Sequence, residues 1–94
     1  MGDEMKEYIL YEDPGHAWLR VKKSELKELN IDNLISEYSY QDDKFVYLEE
    51  DDDILIFLNA KISGSPRDWW EKNTTRKYEE DSSIRKLKSY EYRG

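Results

Sequence analysis

The stretch Tyr38-Ser-Tyr-Gln-Asp-Asp-Lys-Phe-Val-Tyr-Leu-Glu-Glu-Asp-Asp-Asp-Ile-Leu-Ile-Phe-Leu58 constrains the fold more than any other part of this chain. Tyr38–Gln41 and Phe45–Glu49 carry strand-forming residues and flank Asp42-Asp43-Lys44, a polar connection of hairpin length. Val46 and Leu48 alternate with Tyr47, so one face of that strand points at a core and the other at solvent. Asp51, Asp52 and Asp53 then open an apolar run, and the pattern predicts a helix over Asp53–Ile62. One of the aspartates accepts hydrogen bonds from the unpaired amides of the first turn, and the rest favour the positive end of the helix dipole. Ile54, Phe57, Leu58 and Ile62 recur at helical spacing and form the expected buried stripe. Ser63-Gly64-Ser65-Pro66 stops the helix.

The first third predicts a second hairpin. Glu7–Glu12 and Ala17–Val21 are strand-like and enclose Asp13-Pro14-Gly15-His16, where Pro supplies a preset φ and Gly a positive one. Ser24 is placed to cap a short helix over Glu25–Leu29, which Asn30 ends. Beyond Pro66 the pattern predicts a final strand over Trp69–Tyr78, while Ser82–Tyr92 stays open between helix, strand and flexible tail. The expected fold is therefore α+β: a small antiparallel sheet of two hairpins plus a late strand, with one main amphipathic helix packed on one face. Residues 1–94 form a single domain, with 82–94 a flexible or peripheral C-terminal segment.

Composition removes several classes of activity. The chain has 94 residues and no Cys, which excludes disulfides and thiolate metal sites. Its longest apolar run is Ile54–Leu58, far below the ~20 residues of a membrane helix. The N-terminal residues lack the basic-then-apolar pattern of a signal peptide, so the expected location is the cytoplasm. A net charge of −7 argues against duplex DNA as a partner, because phosphate binding draws on Lys and Arg. That charge fits solubility alone, a basic partner, or imitation of nucleic-acid charge. Eight Tyr, three Trp and two Phe argue for a packed domain over disorder.

Three constellations bear on chemistry. His16 is the only histidine and stands in a turn, with no Cys and no Ser fixed beside it by the sequence, so the pattern predicts no enzyme and no cofactor. Glu49, Glu50, Asp51 and Asp52 form an acidic run. It lacks the glycine and the alternating ligand spacing of a calcium loop, so helix capping or a partner-facing patch fits better than a metal site. The last third interleaves cations with aromatics, notably Arg85, Lys86, Lys88 and Tyr90, the pairing used to bind single-stranded nucleic acid. Adjacent residues on a strand face opposite ways, so one of Trp69 and Trp70 is expected to pack and the other to stand exposed beside Arg67 as a contact for a partner.

His16-Ala17-Trp18-Leu19, Tyr38-Ser-Tyr-Gln41 and Val46-Tyr-Leu-Glu-Glu-Asp51 together resemble a family of small proteins encoded by bacteriophages and related mobile elements. The family usually has Gly at the position of Ala17 and often Cys at that of Asp52, so the resemblance assigns chemistry to neither. It implies an accessory protein of a mobile element, expressed inside a bacterial host cell. The expectation is a small acidic macromolecule-binding protein whose partner is a host protein or nucleoprotein complex, engaged through Glu49, Glu50, Asp51 and Asp52. A defence complex antagonised in this way is one such target. The competing expectation is a single-stranded nucleic-acid-binding module using Trp69, Trp70, Arg85, Lys86, Lys88 and Tyr90. A homodimer is compatible with either.

Overall fold

The computed structural model describes residues 7–93. The chain forms an α+β domain in which, among the described residues, six strands make one mixed sheet. In chain order the elements are β1 (Tyr8–Glu12), β2 (Ala17–Lys22), α1 (Lys23–Glu28), β3 (Tyr40–Gln41), β4 (Phe45–Glu49), α2 (Asp53–Lys61), α3 (Pro66–Asn73), β5 (Thr74–Tyr78) and β6 (Lys88–Ser89), with 3-10 turns at Asp32–Leu34 and Ser83–Lys86. Across the sheet the order is β5-β1-β2-β4-β3-β6.

Both expected hairpins form, and both close by the same device. Asp13 Oδ1 accepts from Gly15 N at 2.9 Å and His16 N at 2.8 Å. Asp42 Oδ1 likewise accepts from Lys44 N at 3.0 Å and Phe45 N at 2.8 Å. An aspartate that bonds the backbone two and three residues on imitates a turn carbonyl. Gly15 does not take the positive φ expected of it. What its missing side chain provides is room, since a Cβ there would lie 3.3 Å from Arg85 Nη2.

The wholly antiparallel sheet expected from the sequence is corrected at one edge. The pairs β1–β2, β2–β4, β3–β4 and β3–β6 are antiparallel, but β5 runs parallel to β1, with Tyr8 opposite Thr74 and Leu10 opposite Arg76. Parallel neighbours need a long connection, and here every intervening element from β2 to α3 supplies it. The late strand also starts later than Trp69. Ser65 Oγ accepts from Asp68 N at 3.4 Å and Pro66 occupies the first turn, so Pro66–Asn73 is a helix. Proline at a helix start loses nothing, because its missing N–H would be unpaired there in any case.

The helices lie on one sheet face. Leu26 of α1, and Ile54 and Phe57 of α2, bury against Tyr8, Leu10, Leu19, Val21, Val46 and Leu48, with Trp69 and Trp70 of α3 packed at the margin. The stripe on α2 is less exclusive than expected: Leu58 and Ile62 are only half-buried, and Leu55 is exposed. Helix α1 starts at Lys23 with no side-chain cap, so Ser24 is inside the helix and not its cap. It ends in a Schellman motif, with Ile31 N bonded to Leu26 O, Asn30 N to Lys27 O, and Asn30 at φ 60°. Glu25 ties three elements together, accepting from Tyr8 OH at 2.8 Å and pairing with Lys61 Nζ at 2.7 Å. Burial first, and the Glu25 carboxylate second, push the Tyr8 hydroxyl above its ordinary range, so it stays a donor.

The second face is covered by the chain itself. After β5 the segment 79–87 crosses from one sheet edge to the other, and Ile84 buries between Trp18 and Tyr47. Tyr90 then docks on the far side, its N–H donating to Ser39 O and its hydroxyl to Asp32 O, both at 2.7 Å.

Candidate functional site

The turn of the first hairpin and the end of β4 meet at one end of the second sheet face. There a recess of about 340 Å³ is lined by His16, Trp18, Tyr38, Tyr40, Glu49, Asp51, Asp52 and Arg85. Strand pairing explains the meeting: Trp18 is opposite Glu49, and Tyr40 is opposite Tyr47 in the next row. The 3-10 turn that crosses this face delivers Arg85 from above. Its guanidinium carbon stands 5.2 Å from the Trp18 ring centre, and its Nε lies 2.7 Å from Asp13 Oδ2. The recess thus joins members of both sets singled out in the sequence, the acidic run and the C-terminal cations, which lie more than thirty residues apart in the chain.

The four acidic residues have unlike roles. Glu49 is the helix cap: its carboxylate accepts from Asp51 N at 3.0 Å, Asp52 N at 2.7 Å and Asp53 N at 3.3 Å. Capping by one of the aspartates is therefore corrected, since Asp52 at the cap position makes no such bond. A glutamate four residues back on a strand end has the reach to close over the first turn, and the positive end of the helix favours its charge. Glu50, Asp51 and Asp52 are exposed. Glu50 Oε1 lies 3.7 Å from His16 Nδ1, and the His16 ring centre is 5.9 Å from that of Trp18. Among the described residues no three His, Asp or Glu side chains are grouped to hold a metal ion.

Tyr38 stands 73% exposed at the rim. Nothing in the sequence marked it out from Tyr40; the distinction comes from the chain entering β3 only at Tyr40, which leaves Tyr38 on a turn.

The residues proposed for stacking do not converge. Tyr90 is buried to 7% exposure and hydrogen-bonded to Asp32 O. Arg85 is held by Asp13. Lys86 and Lys88 lie near the β6 edge, whereas Trp69 and Trp70 sit on α3 beside β5 at the opposite edge. Because they lie on a helix, the two tryptophans do not point to opposite sides as strand neighbours would. Trp69 packs on Tyr8 and Phe57, with ring centres 5.1 and 6.0 Å away, and Trp70 lines a separate recess with Arg67.

Charge also builds the scaffold of the site. The Arg85 hydrogen bond, against some opposition from burial, holds the Asp13 carboxyl well below the usual carboxylate range. Asp42 is lowered too: burial pushes it up, but bonds from Phe45 N, Tyr47 OH and Lys44 N outweigh that. A depressed folded-state value means that the stabilisation is complete above the ordinary carboxylate range of about pH 4 and is lost as pH falls through the folded value. The thermal midpoint is therefore expected to decline as pH drops below about 4. Asp13→Asn, which keeps the turn acceptor and removes the charge, is expected to flatten that decline; an unchanged slope in a pH series of melts would refute it.

No protein-family model, curated protein or solved structure matches the chain.

Proposed function

We propose that this protein is a non-enzymatic binding module that presents the acid-rimmed aromatic recess to a basic segment of another macromolecule. The observation that carries the reading is the juxtaposition of exposed Asp51 and Asp52 with Tyr38 and Tyr40 around one recess, with Glu50 beside it against His16. A partner's arginine or lysine finds carboxylates for its charge and ring faces for its stem, and a ring face attracts a cation by about 0.5–2 kcal/mol. Arg85 over Trp18 is this same contact made within the chain. The net charge of −7 adds long-range attraction to a basic surface. With the resemblance to phage and mobile-element proteins, the reading becomes an accessory protein that covers a basic nucleic-acid site on a host protein or nucleoprotein complex in the bacterial cytoplasm.

The single-stranded nucleic-acid reading draws less support, because Tyr90 and Arg85 are committed within the fold and the remaining cations and aromatics sit at opposite sheet edges.

Capture from bacterial lysate at low salt, followed by titration with the recovered partner, tests the proposal. Reversing Glu50, Asp51 and Asp52 to Lys is expected to weaken binding at least about tenfold, because like charges set against each other at an interface cost several kcal/mol. Tyr38→Ala is expected to cost about 2 kcal/mol as an exposed aromatic anchor. Glu49 is left intact, since its removal would uncap α2. Affinity unchanged in the triple variant, or binding that survives at high salt, overturns the acidic-recess reading.

A further inference from the structure

On the opposite sheet face, α3 and β5 build a second recess that the proposed binding surface does not use. Arg67, Trp70, Glu71 and Thr74 recur at i, i+3, i+4 and i+7, which places them along one side of α3 and its junction with β5. Arg76 follows Thr74 by two residues on the strand and so faces the same way. Together these five line a recess of about 680 Å³, inside the range of small-molecule sites. Among the described residues no ion pair engages Arg67 or Arg76. Glu71, the one carboxylate of the lining among the described residues, has an interaction of its own.

The floor carries an independent sign of an absent partner. Thr74 is 7% exposed, and its Oγ1 is buried with no hydrogen-bond partner. Buried hydroxyls are almost always paired, and this one, which has no surface open to the recess, meets a group from outside the chain once the Thr74 side chain turns toward it. Beside it are two guanidinium groups, whose planar forks match carboxylate and phosphate oxygens, and an indole whose face suits a flat ring. Elsewhere in this acidic protein, cations such as Arg85 and Lys61 are answered by carboxylates.

We infer that the recess formed by Arg67, Trp70, Thr74 and Arg76 binds a small planar anion, an aromatic ring bearing a carboxylate or a phosphate. The anionic group lies against Arg67 and Arg76 and takes a hydrogen bond from Thr74 when that side chain turns into the recess, while the ring lies on Trp70.

Amide and indole NMR titrations of the full chain test this with four probes: adenosine monophosphate, 2-aminobenzoate, inorganic phosphate and adenosine. Saturable shifts centred on Trp70 and Thr74 are expected with the first or the second. Phosphate-bearing and carboxylate-bearing ligands are separated by which of the two saturates at lower concentration. Phosphate and adenosine, each carrying half of the ligand, are expected to bind at least tenfold more weakly than the better of the first pair. Arg76→Gln and Trp70→Leu are each expected to weaken that probe tenfold or more, with the remaining amide spectrum preserved. Thr74→Val is expected to weaken it several-fold while raising the thermal midpoint, since it removes an unpaired hydroxyl at constant shape. The inference is overturned if neither ring-bearing anion saturates at millimolar concentration, if Arg76→Gln leaves affinity unchanged, or if inorganic phosphate alone binds as well as the monophosphate.

Discussion

Truncating Phe57 to Ala is expected to lower the unfolding free energy by about 3–5 kcal/mol. Phe57 is the largest side chain with no exposed surface, and it sits where α2, β1 and α3 meet. Its ring centre lies 5.7 Å from that of Tyr8 and 6.0 Å from that of Trp69, and those two lie 5.1 Å from each other. Removing one ring of this triangle therefore loses the transfer energy of Phe57 and the tilted contacts on both sides. The surrounding sheet cannot collapse into the space. Tyr8 is held by strand pairing with Thr74 on one side and by its hydroxyl bond to Glu25. A domain of this size has about 5–15 kcal/mol in total, so the variant approaches the limit of folding. Leu55→Ala on the same helix provides the control. Leu55 is 54% exposed, and its truncation is expected to change stability by no more than about 0.5 kcal/mol. Denaturant titrations that gave the two variants similar effects would mean that α2 packs by another face.

Local signals were legible in the sequence, and pairing over distance was not. Asp13 and Asp42 announce their turns because the bonds that close them reach only two and three residues on. Helix α2 begins at Asp53 and ends at Lys61, one residue before the expected stop, since its apolar run and its terminators are contiguous. The misjudged segment is Ser63–Tyr78. Ser65-Pro66 both ends one helix and starts another, and Trp69-Trp70 followed by Thr74-Thr75 has the composition of a strand. What decides for helix is the bond from Asp68 N to Ser65 Oγ together with the packing of Trp69 on Phe57, and that contact joins residues that no period within either segment connects.

The candidate site shows the same division. That an acidic run precedes a helix was evident; that Glu49 alone caps it depends on where β4 ends. The encounter of Arg85 with Asp13 spans 72 residues and follows from the crossing of the second sheet face, for which the ambiguous segment Ser82–Tyr92 held no periodic signal. The sequence marks Thr74 only as part of a strand; its buried, unpaired hydroxyl follows from α3 joining β5 without a loop.

Replacing Asp53 with Ala is expected to cost about 2–4 kcal/mol and to loosen two distant backbone bonds with it. Asp53 is 1% exposed and has no cationic partner among the described residues, yet three donors converge on it. Ser36 N reaches Oδ2 at 3.1 Å, Ser36 Oγ reaches the same atom at 2.7 Å, and Ser39 Oγ does so at 2.5 Å. Position matters as well, because Asp53 opens α2, where the helix dipole favours a negative charge. Two effects oppose each other on substitution. Burying a carboxylate without a cation is unfavourable, and alanine removes that penalty. It also strands Ser39, which is fully buried, and the Ser36 amide, and bonds from such donors to a charged group are worth about 1.5–3 kcal/mol each. With three donors the second effect wins. Ser39 transmits the loss, since its Oγ accepts from Glu49 N at 3.0 Å and its carbonyl accepts from Tyr90 N at 2.7 Å. Hydrogen exchange at the Glu49 and Tyr90 amides is therefore expected to accelerate in Asp53→Ala by more than at the β1–β2 amides. A double-mutant cycle with Ser39→Ala is expected to give a coupling of about 0.5–3 kcal/mol. Independent, additive effects and unchanged exchange at both amides would show that Asp53 is a tolerated burial and not the clasp that holds the β3 turn and the C-terminal segment to the start of α2.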